Sequence, residues 1–142
     1  MRDPMASPAT GMDISRLLRR AGLRPTRQRV ALAELLFGTG DRHVTAEMLH
    51  EEAVRAGERV SLATVYNTLH QFEQAGLLRE IAIGGQRAYF DTNTSNHNHF
   101  FIEAEGQLVD IPGSGIRVEG LPQPPEHLKI SHIDVVVRLV RK

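Results

Sequence analysis

Apolar positions along this chain fall into four helical stripes and then into short alternating runs. Leu17, Leu18 and Ala21 predict a first helix that Asp13 can cap and Gly22 can end. Val30, Ala33, Leu36 and Phe37 predict a second, with Thr26 after Pro25 as its N-cap and Gly38 as its stop. A third begins at Thr45 and closes near Gly57. The fourth starts at Ser61, carries Leu62, Val65, Leu69 and Phe72 on one stripe, and has Gly76 where a stop belongs. From Leu77 the period changes. Leu78 to Ile83 and Arg87 to Phe90 flank Gly84-Gly85-Gln86, so Leu77 to Asp91 reads as a hairpin.

Helices followed directly by a hairpin make a winged helix, in which the third and fourth helices form a helix-turn-helix and the fourth enters the major groove. The face of the fourth helix opposite its apolar stripe offers Thr64, Asn67, Gln71 and Gln74, with Tyr66 at its margin, all able to hydrogen-bond base edges or phosphates. The plain alternative is a small helical domain with an ordinary hairpin that binds a protein. Asp91 to Asn96 is polar and can serve as a linker. Strands follow at His97 to Glu103, Gln107 to Ile111 and Ile133 to Val140, while Pro112, Pro122, Pro124 and Pro125 argue against a long helix between them. The expected class is therefore α+β: a flexible leader (1–12), a winged-helix DNA-binding domain (13–91), a linker (92–96) and a small dimerisation and sensing domain (97–142).

Composition narrows the function. The chain has 142 residues, and a half of such a chain usually needs oligomerisation or a metal to be stable, so self-association is expected. The first eleven residues lack the apolar core of a signal peptide and no apolar run is long enough to span a bilayer, which predicts a cytoplasmic protein. Seventeen basic residues balance seventeen acidic ones. The balance is local, however: no acid occurs between Asp13 and Glu34, while Arg16, Arg19, Arg20, Arg24, Arg27 and Arg29 all do, enough for a phosphate-facing patch. The absence of cysteine excludes disulfides, thiolate zinc sites, cysteine nucleophiles and thiolate-bound haem.

Two histidines one residue apart, His97 and His99, carry the candidate chemistry. On an extended strand their side chains share a face, so one metal ion could take both imidazoles; the alternative is two exposed histidines on a polar strand. Haem is harder to fit, because its axial ligands occupy opposite faces of the porphyrin, so the pair would supply one ligand and another residue or chain the second. No Gly-rich phosphate loop, nucleophile elbow or His-Glu-x-x-His is present, and an enzyme is not expected.

Several segments together resemble the ferric uptake regulator (Fur) family: Ala21 to Arg29 (AGLRPTRQR), His43 to Glu47 (HVTAE), Leu62 to Leu69 (LATVYNTL) with Phe72, Ala75, Gly76 and Leu77, and the His97-Asn98-His99 step. Val118 to Pro122 and Asp134 to Leu139 are similar to the iron response regulator (Irr) branch of alphaproteobacteria. The resemblance implies a homodimer, each chain giving a winged-helix domain and an α/β dimerisation domain, bound to AT-rich, partly palindromic operator DNA. It assigns DNA contact to Thr64, Tyr66, Asn67 and Arg24, beside the patch residues Arg19 and Arg20. It places one metal site at His43, Asp91, His97, His99 and Asp110. Such a nitrogen and oxygen donor set favours Fe(II), Mn(II) or Zn(II).

Departures from the family pattern shape the expectation. A second common metal site would need a histidine at 96, an aspartate at 98 and an acid near 117, where this chain has Asn96, Asn98 and Arg117 and keeps only His132. The Cys-x-x-Cys zinc anchor is replaced by Ile102 and Glu105, and the cysteine-proline haem motif of some Irr proteins is absent. The resemblance thus implies a haem-responsive transcription regulator, mainly a repressor, that binds DNA under iron limitation and is released by haem at His97 or His99. The nearest rival is a sensor that needs Mn(II) or Fe(II) to bind DNA, read out by the metal or by peroxide. From another class, a haem carrier or metal-binding protein without gene regulation would have no use for the arginine cluster or Tyr66.

Overall fold

The computed structural model describes residues 11–84, 87–95, 97–112 and 115–142. In chain order the elements are α1 (Gly11–Arg20), α2 (Arg27–Phe37), β1 (His43–Val44), α3 (Ala46–Arg55), α4 (Leu62–Gln74), β2 (Arg79–Ala82), β3 (Ala88–Asp91), β4 (His99–Ile102), β5 (Gln107–Asp110) and β6 (Val136–Leu139). They divide into two compact units, the first ending at Thr94 and the second running from Ser95 to Lys142. The chain is α+β.

Helix starts follow local chemistry. Thr26, Thr45 and Ser61 sit in extended backbone at the N-caps of α2, α3 and α4, each side-chain oxygen accepting from the backbone N–H three residues on. These bonds satisfy donors that the first helical turn leaves without an intrahelical partner. The end of α4 is equally local: Gly76 takes φ +81°, and Leu77 N–H closes the turn onto the Phe72 carbonyl at 2.9 Å. A side chain at that φ would be strained, which is why glycine belongs there. The first helix departs from expectation, since it already includes Gly11 and Met12, and Asp13 sits inside its first turn instead of capping it. There its carboxylate faces the positive end of the helix dipole. The rest of the expected leader, like Gly85 and Gln86 of the hairpin turn and Asn96 of the linker, lies outside the described residues.

In the first unit α1 packs on α2, α2 on α3 and α3 on α4. Ile14, Leu18, Leu32, Leu36, Leu49, Val65, Leu69, Phe72 and Phe90 form one core and are essentially inaccessible. Leu62 departs from the expected stripe and stays 37% exposed. As the first residue of α4 it lies beyond the core that receives Val65, Leu69 and Phe72. The sheet of this unit has the order β1-β3-β2, both pairs antiparallel. Strand β1 is too short, at two residues, to show an alternating pattern, so sequence periodicity misses it. It pairs His43 with Asp91 and Val44 with Phe90.

The second unit is a sheet of order β5-β4-β6, with β4 antiparallel to β5 and parallel to β6. Its strands are shorter than the sequence predicts, and His97 precedes β4 instead of belonging to it. Val109, Val118, Leu121, Leu128, Ile130, Ile133, Leu139 and Val140 are all exposed in this unit. Among the described residues, no helix is long and apolar enough to cross a membrane.

Candidate metal centre and nucleic-acid interface

Cross-strand pairing brings histidine to aspartate in each unit separately. In the first, the β1–β3 register sets His43 opposite Asp91, and His43 Nε2 lies 3.1 Å from Asp91 Oδ2. Asp91 is buried. Its other oxygen accepts from the Asn93 N–H at 2.9 Å, a local turn that leaves Oδ2 to the histidine. One residue outward the pairing continues: Thr92 N–H donates to the Arg42 carbonyl, and Arg42 N–H donates to Thr92 Oγ1 at 2.8 Å. The Arg42 guanidinium then grips both oxygens of Glu52 at 2.8 and 2.6 Å and donates to the Leu35 carbonyl, tying this corner to α3 and α2. Bidentate pairing of this kind holds geometry as well as charge.

The second unit repeats the device. The β4–β5 register sets His99 opposite Asp110, and His99 Nε2 lies 3.3 Å from Asp110 Oδ1. His97 Nε2 lies 3.3 Å from the same oxygen. The two rings sit with centroids 4.5 Å apart. His97 Nδ1 is 2.7 Å from the Ser95 carbonyl, which can only accept, so Nδ1 is the donor of that bond and Nε2 is the nitrogen turned toward Asp110. A hydrogen bond from the far ring nitrogen to a carbonyl is how metal-binding histidines are commonly oriented. Two imidazole nitrogens and a carboxylate oxygen brought together this way suit a divalent cation of intermediate hardness. They do not suit the opposite faces of one porphyrin.

The expected nucleic-acid residues are placed as follows. Arg19 and Arg20 are exposed in the last turn of α1, and Arg24 is exposed in the loop before α2. On α4, Asn67 is exposed, and Thr64 is half-buried with its N–H and Oγ1 both bonded to Ser61 Oγ at the helix start. Tyr66 is half-buried against the core, its ring roughly parallel to that of His70, and its hydroxyl donates to Glu47 Oε1 on α3 at 3.2 Å. The other oxygen of Glu47 is buried with no hydrogen-bond partner among the described residues. Arg29, counted in the basic patch from sequence, reaches across to α4: Nη1 donates to the Arg24 carbonyl at 2.9 Å, and Nε and Nη2 both donate to Gln71 Oε1 at 3.3 and 3.1 Å.

The family model described as "Ferric uptake regulator family" matches residues 20–137 of this chain. The chain belongs to the ferric uptake regulator family. Its Fur-family relatives include the peroxide-responsive repressor PerR of Staphylococcus epidermidis, 34% identical over 116 residues, covering 81% of this chain and 77% of that protein. PerR of a Staphylococcus aureus strain is 33% identical over the same length. Among solved structures, the Fur protein of Pseudomonas aeruginosa with manganese superposes with a TM-score of 0.67 at 27% identity, covering 91% of this chain and 98% of that one. The Fur protein of Vibrio cholerae gives a TM-score of 0.70 at 21% identity over 89% of this chain and 98% of that one, a likeness of fold.

Within this Fur-family chain, sequence reading missed Arg42, Glu52 and Glu47, because their partners lie 10 and 19 residues away and no local pattern announces such pairs. Glu47 has a measurable consequence. Burial, and then the Glu47 carboxylate, push the Tyr66 phenol above its ordinary value against a smaller opposing pull from Arg87. A raised folded-state value means that the protonated form is favoured by folding. The associated stability is present below about pH 10 and is lost as pH rises through the raised value. Tyrosinate absorbance on titration should therefore show a late component, above about pH 10, that is missing from Tyr66→Phe.

Proposed function

We propose that this chain is a metal-dependent transcription regulator, a repressor like the PerR relatives, that binds operator DNA when a divalent ion occupies its His/Asp donors. The observation that carries the reading is the convergence of His97 Nε2 and His99 Nε2 on one oxygen of Asp110, with the His97 ring oriented by the Ser95 carbonyl. His43 and Asp91 supply a second pair of the same chemistry. We infer that the five donors share one ion, as family membership implies, which would supply a positive centre joining the two units. Holding His43 and Asp91 to His97, His99 and Asp110 would set the angle between the units, and half-site spacing on DNA depends on that angle. Mn(II) and Fe(II) suit the all nitrogen and oxygen set, and Zn(II) is the third candidate.

The remaining residues divide the work of DNA binding. Thr64, Tyr66 and Asn67 on α4 would meet base edges in the major groove, while Arg19, Arg20 and Arg24 would meet phosphates of an AT-rich, partly palindromic duplex. A twofold site calls for a twofold protein. The exposed apolar residues of the second unit, among them Ile130, Ile133, Leu139 and Val140, support its burial against a second copy. Haem release through one of His97 and His99, the Irr-like reading, rests on the resemblance of 118–122 and 134–139 alone. It is the weaker reading, because both imidazoles serve one carboxylate oxygen.

Fluorescence anisotropy decides between them. A duplex selected from a random pool by the full chain should be bound only as Mn(II) is added to chelated protein, and His43→Ala should lose the response. Tight binding in chelator that haem abolishes would replace this reading with the haem-released one.

A further inference from the structure

The Arg29–Gln71 contact points beyond that reading. Arginine has five N–H donors and no acceptor, so the group it faces must accept. Two of its donors, Nε and Nη2, meet the same Gln71 oxygen, and Nη1 is held by the Arg24 carbonyl at the entry to α2. The Gln71 amide is therefore fixed with its oxygen toward α2 and its NH2 group away from it. Reversing the amide would set donors against donors. Gln71 lies one helical turn after Asn67 on α4, and both are exposed, so they share the outward face opposite Val65, Leu69 and Phe72.

We propose that Arg29 is a positioning residue and that Gln71 is a DNA-contacting residue presented as a hydrogen-bond donor only. This rests on α4 being the recognition helix. An unrestrained glutamine reads adenine with both ends of its amide, taking N6–H2 and N7 together, whereas a donor-only amide loses the N6–H2 contact and keeps only acceptors: a purine N7, the O6 of guanine, the O4 of thymine, or a phosphate oxygen. Arg29 thus acts on DNA through Gln71 and adds no phosphate contact of its own.

The test is duplex selection from a random pool by the full chain with Mn(II), repeated in chelator, followed by affinity and salt titrations of variants. Gln71→Leu should bind the selected site about 3- to 10-fold more weakly. A loss confined to one base position per half-site identifies a base-edge acceptor, and an equal loss on every sequence identifies a phosphate; either supports the proposal. Arg29→Met should relax the same position toward adenine or reproduce the uniform loss. In the Gln71→Leu background it should cost nothing more, with the log–log salt slope unchanged. A Gln71→Leu protein with wild-type affinity and base preference overturns the proposal. So does an Arg29→Met effect that adds to it and lowers the salt slope by about one, the mark of a direct phosphate contact. Failure of the recognition-helix reading appears earlier and separately, as no selected sequence from the unmodified protein in either condition.

Discussion

Replacing His97 and His99 together by alanine is expected to lower Mn(II) affinity by on the order of 100-fold or more and to leave DNA binding indifferent to the metal. Loss of groups that merely orient ligands already costs about 10- to 100-fold in affinity, and this change deletes two ligands outright. Of the three donors of the second unit it leaves only Asp110, whose carboxylate is 47% exposed. Calorimetric titration of Mn(II) measures the loss, and anisotropy of the labelled duplex measures its consequence. Near wild-type Mn(II) affinity in the double variant would remove these histidines from the site. Ser95 contributes its carbonyl through the backbone, so Ser95→Ala should leave the affinity almost unchanged, a control that separates ligand loss from general damage near β4.

How much of this was legible in sequence depends on the range of the interaction. The caps Thr26, Thr45 and Ser61 and the Gly76 stop act within a few residues, and the helices begin and end where those signals lie. The His-x-His step was readable for the same reason, since alternate residues of extended chain share a face. That held even though His97 falls just outside β4, because the Ile111 N–H bonds the Asn98 carbonyl and continues the pairing. What joins distant segments was not readable. Strand β1 exists by pairing with β3, a pairing that the Arg42–Thr92 hydrogen bonds, 50 residues apart in sequence, extend by one residue, and it is this strand that puts His43 beside Asp91. The reach of Arg29 to α4 is a second case: a run of arginines looks like a solvated patch until Gln71, 42 residues on, is seen to hold one of them.

The departures from the broader family also acquire a physical sense. With Ile102 and Glu105 in place of a thiolate zinc anchor, the second unit lacks that covalent-like staple, and among its described residues only His99 and Leu108 are buried. A unit so short of core needs help from association or from an ion. The same donors that would sense the metal would then also be a structural support, so that sensing and folding become linked.

That linkage gives the second large effect. Phe72→Ala should destabilise the first unit by about 3–5 kcal/mol, since Phe72 is fully buried on α4, its ring 6.3 Å from that of Phe37, and truncation leaves a cavity in the only large core described. Against a typical total of about 5–15 kcal/mol this brings the unit near its unfolding threshold. At about 4–8 °C per kcal/mol for a domain of this size, the melting temperature should fall by roughly 12 °C or more. Helix α4 packs against that core, so DNA binding at 37 °C should fall with the folded fraction, while DNA affinity per folded molecule stays the same. An ion that binds only the native state stabilises it by about 2.7 kcal/mol at one hundred times its dissociation constant. Excess Mn(II) should therefore recover about half to nine-tenths of the loss in Phe72→Ala, and much less in Phe72→Ala combined with His43→Ala, whose ligand sits in the same unit as the cavity. Thermal melts of the unmodified protein, Phe72→Ala, His43→Ala and the double variant, with and without Mn(II), read both effects. A Phe72→Ala melt that Mn(II) leaves unmoved would show that occupancy of the His/Asp donors is not coupled to folding of the unit that carries α4.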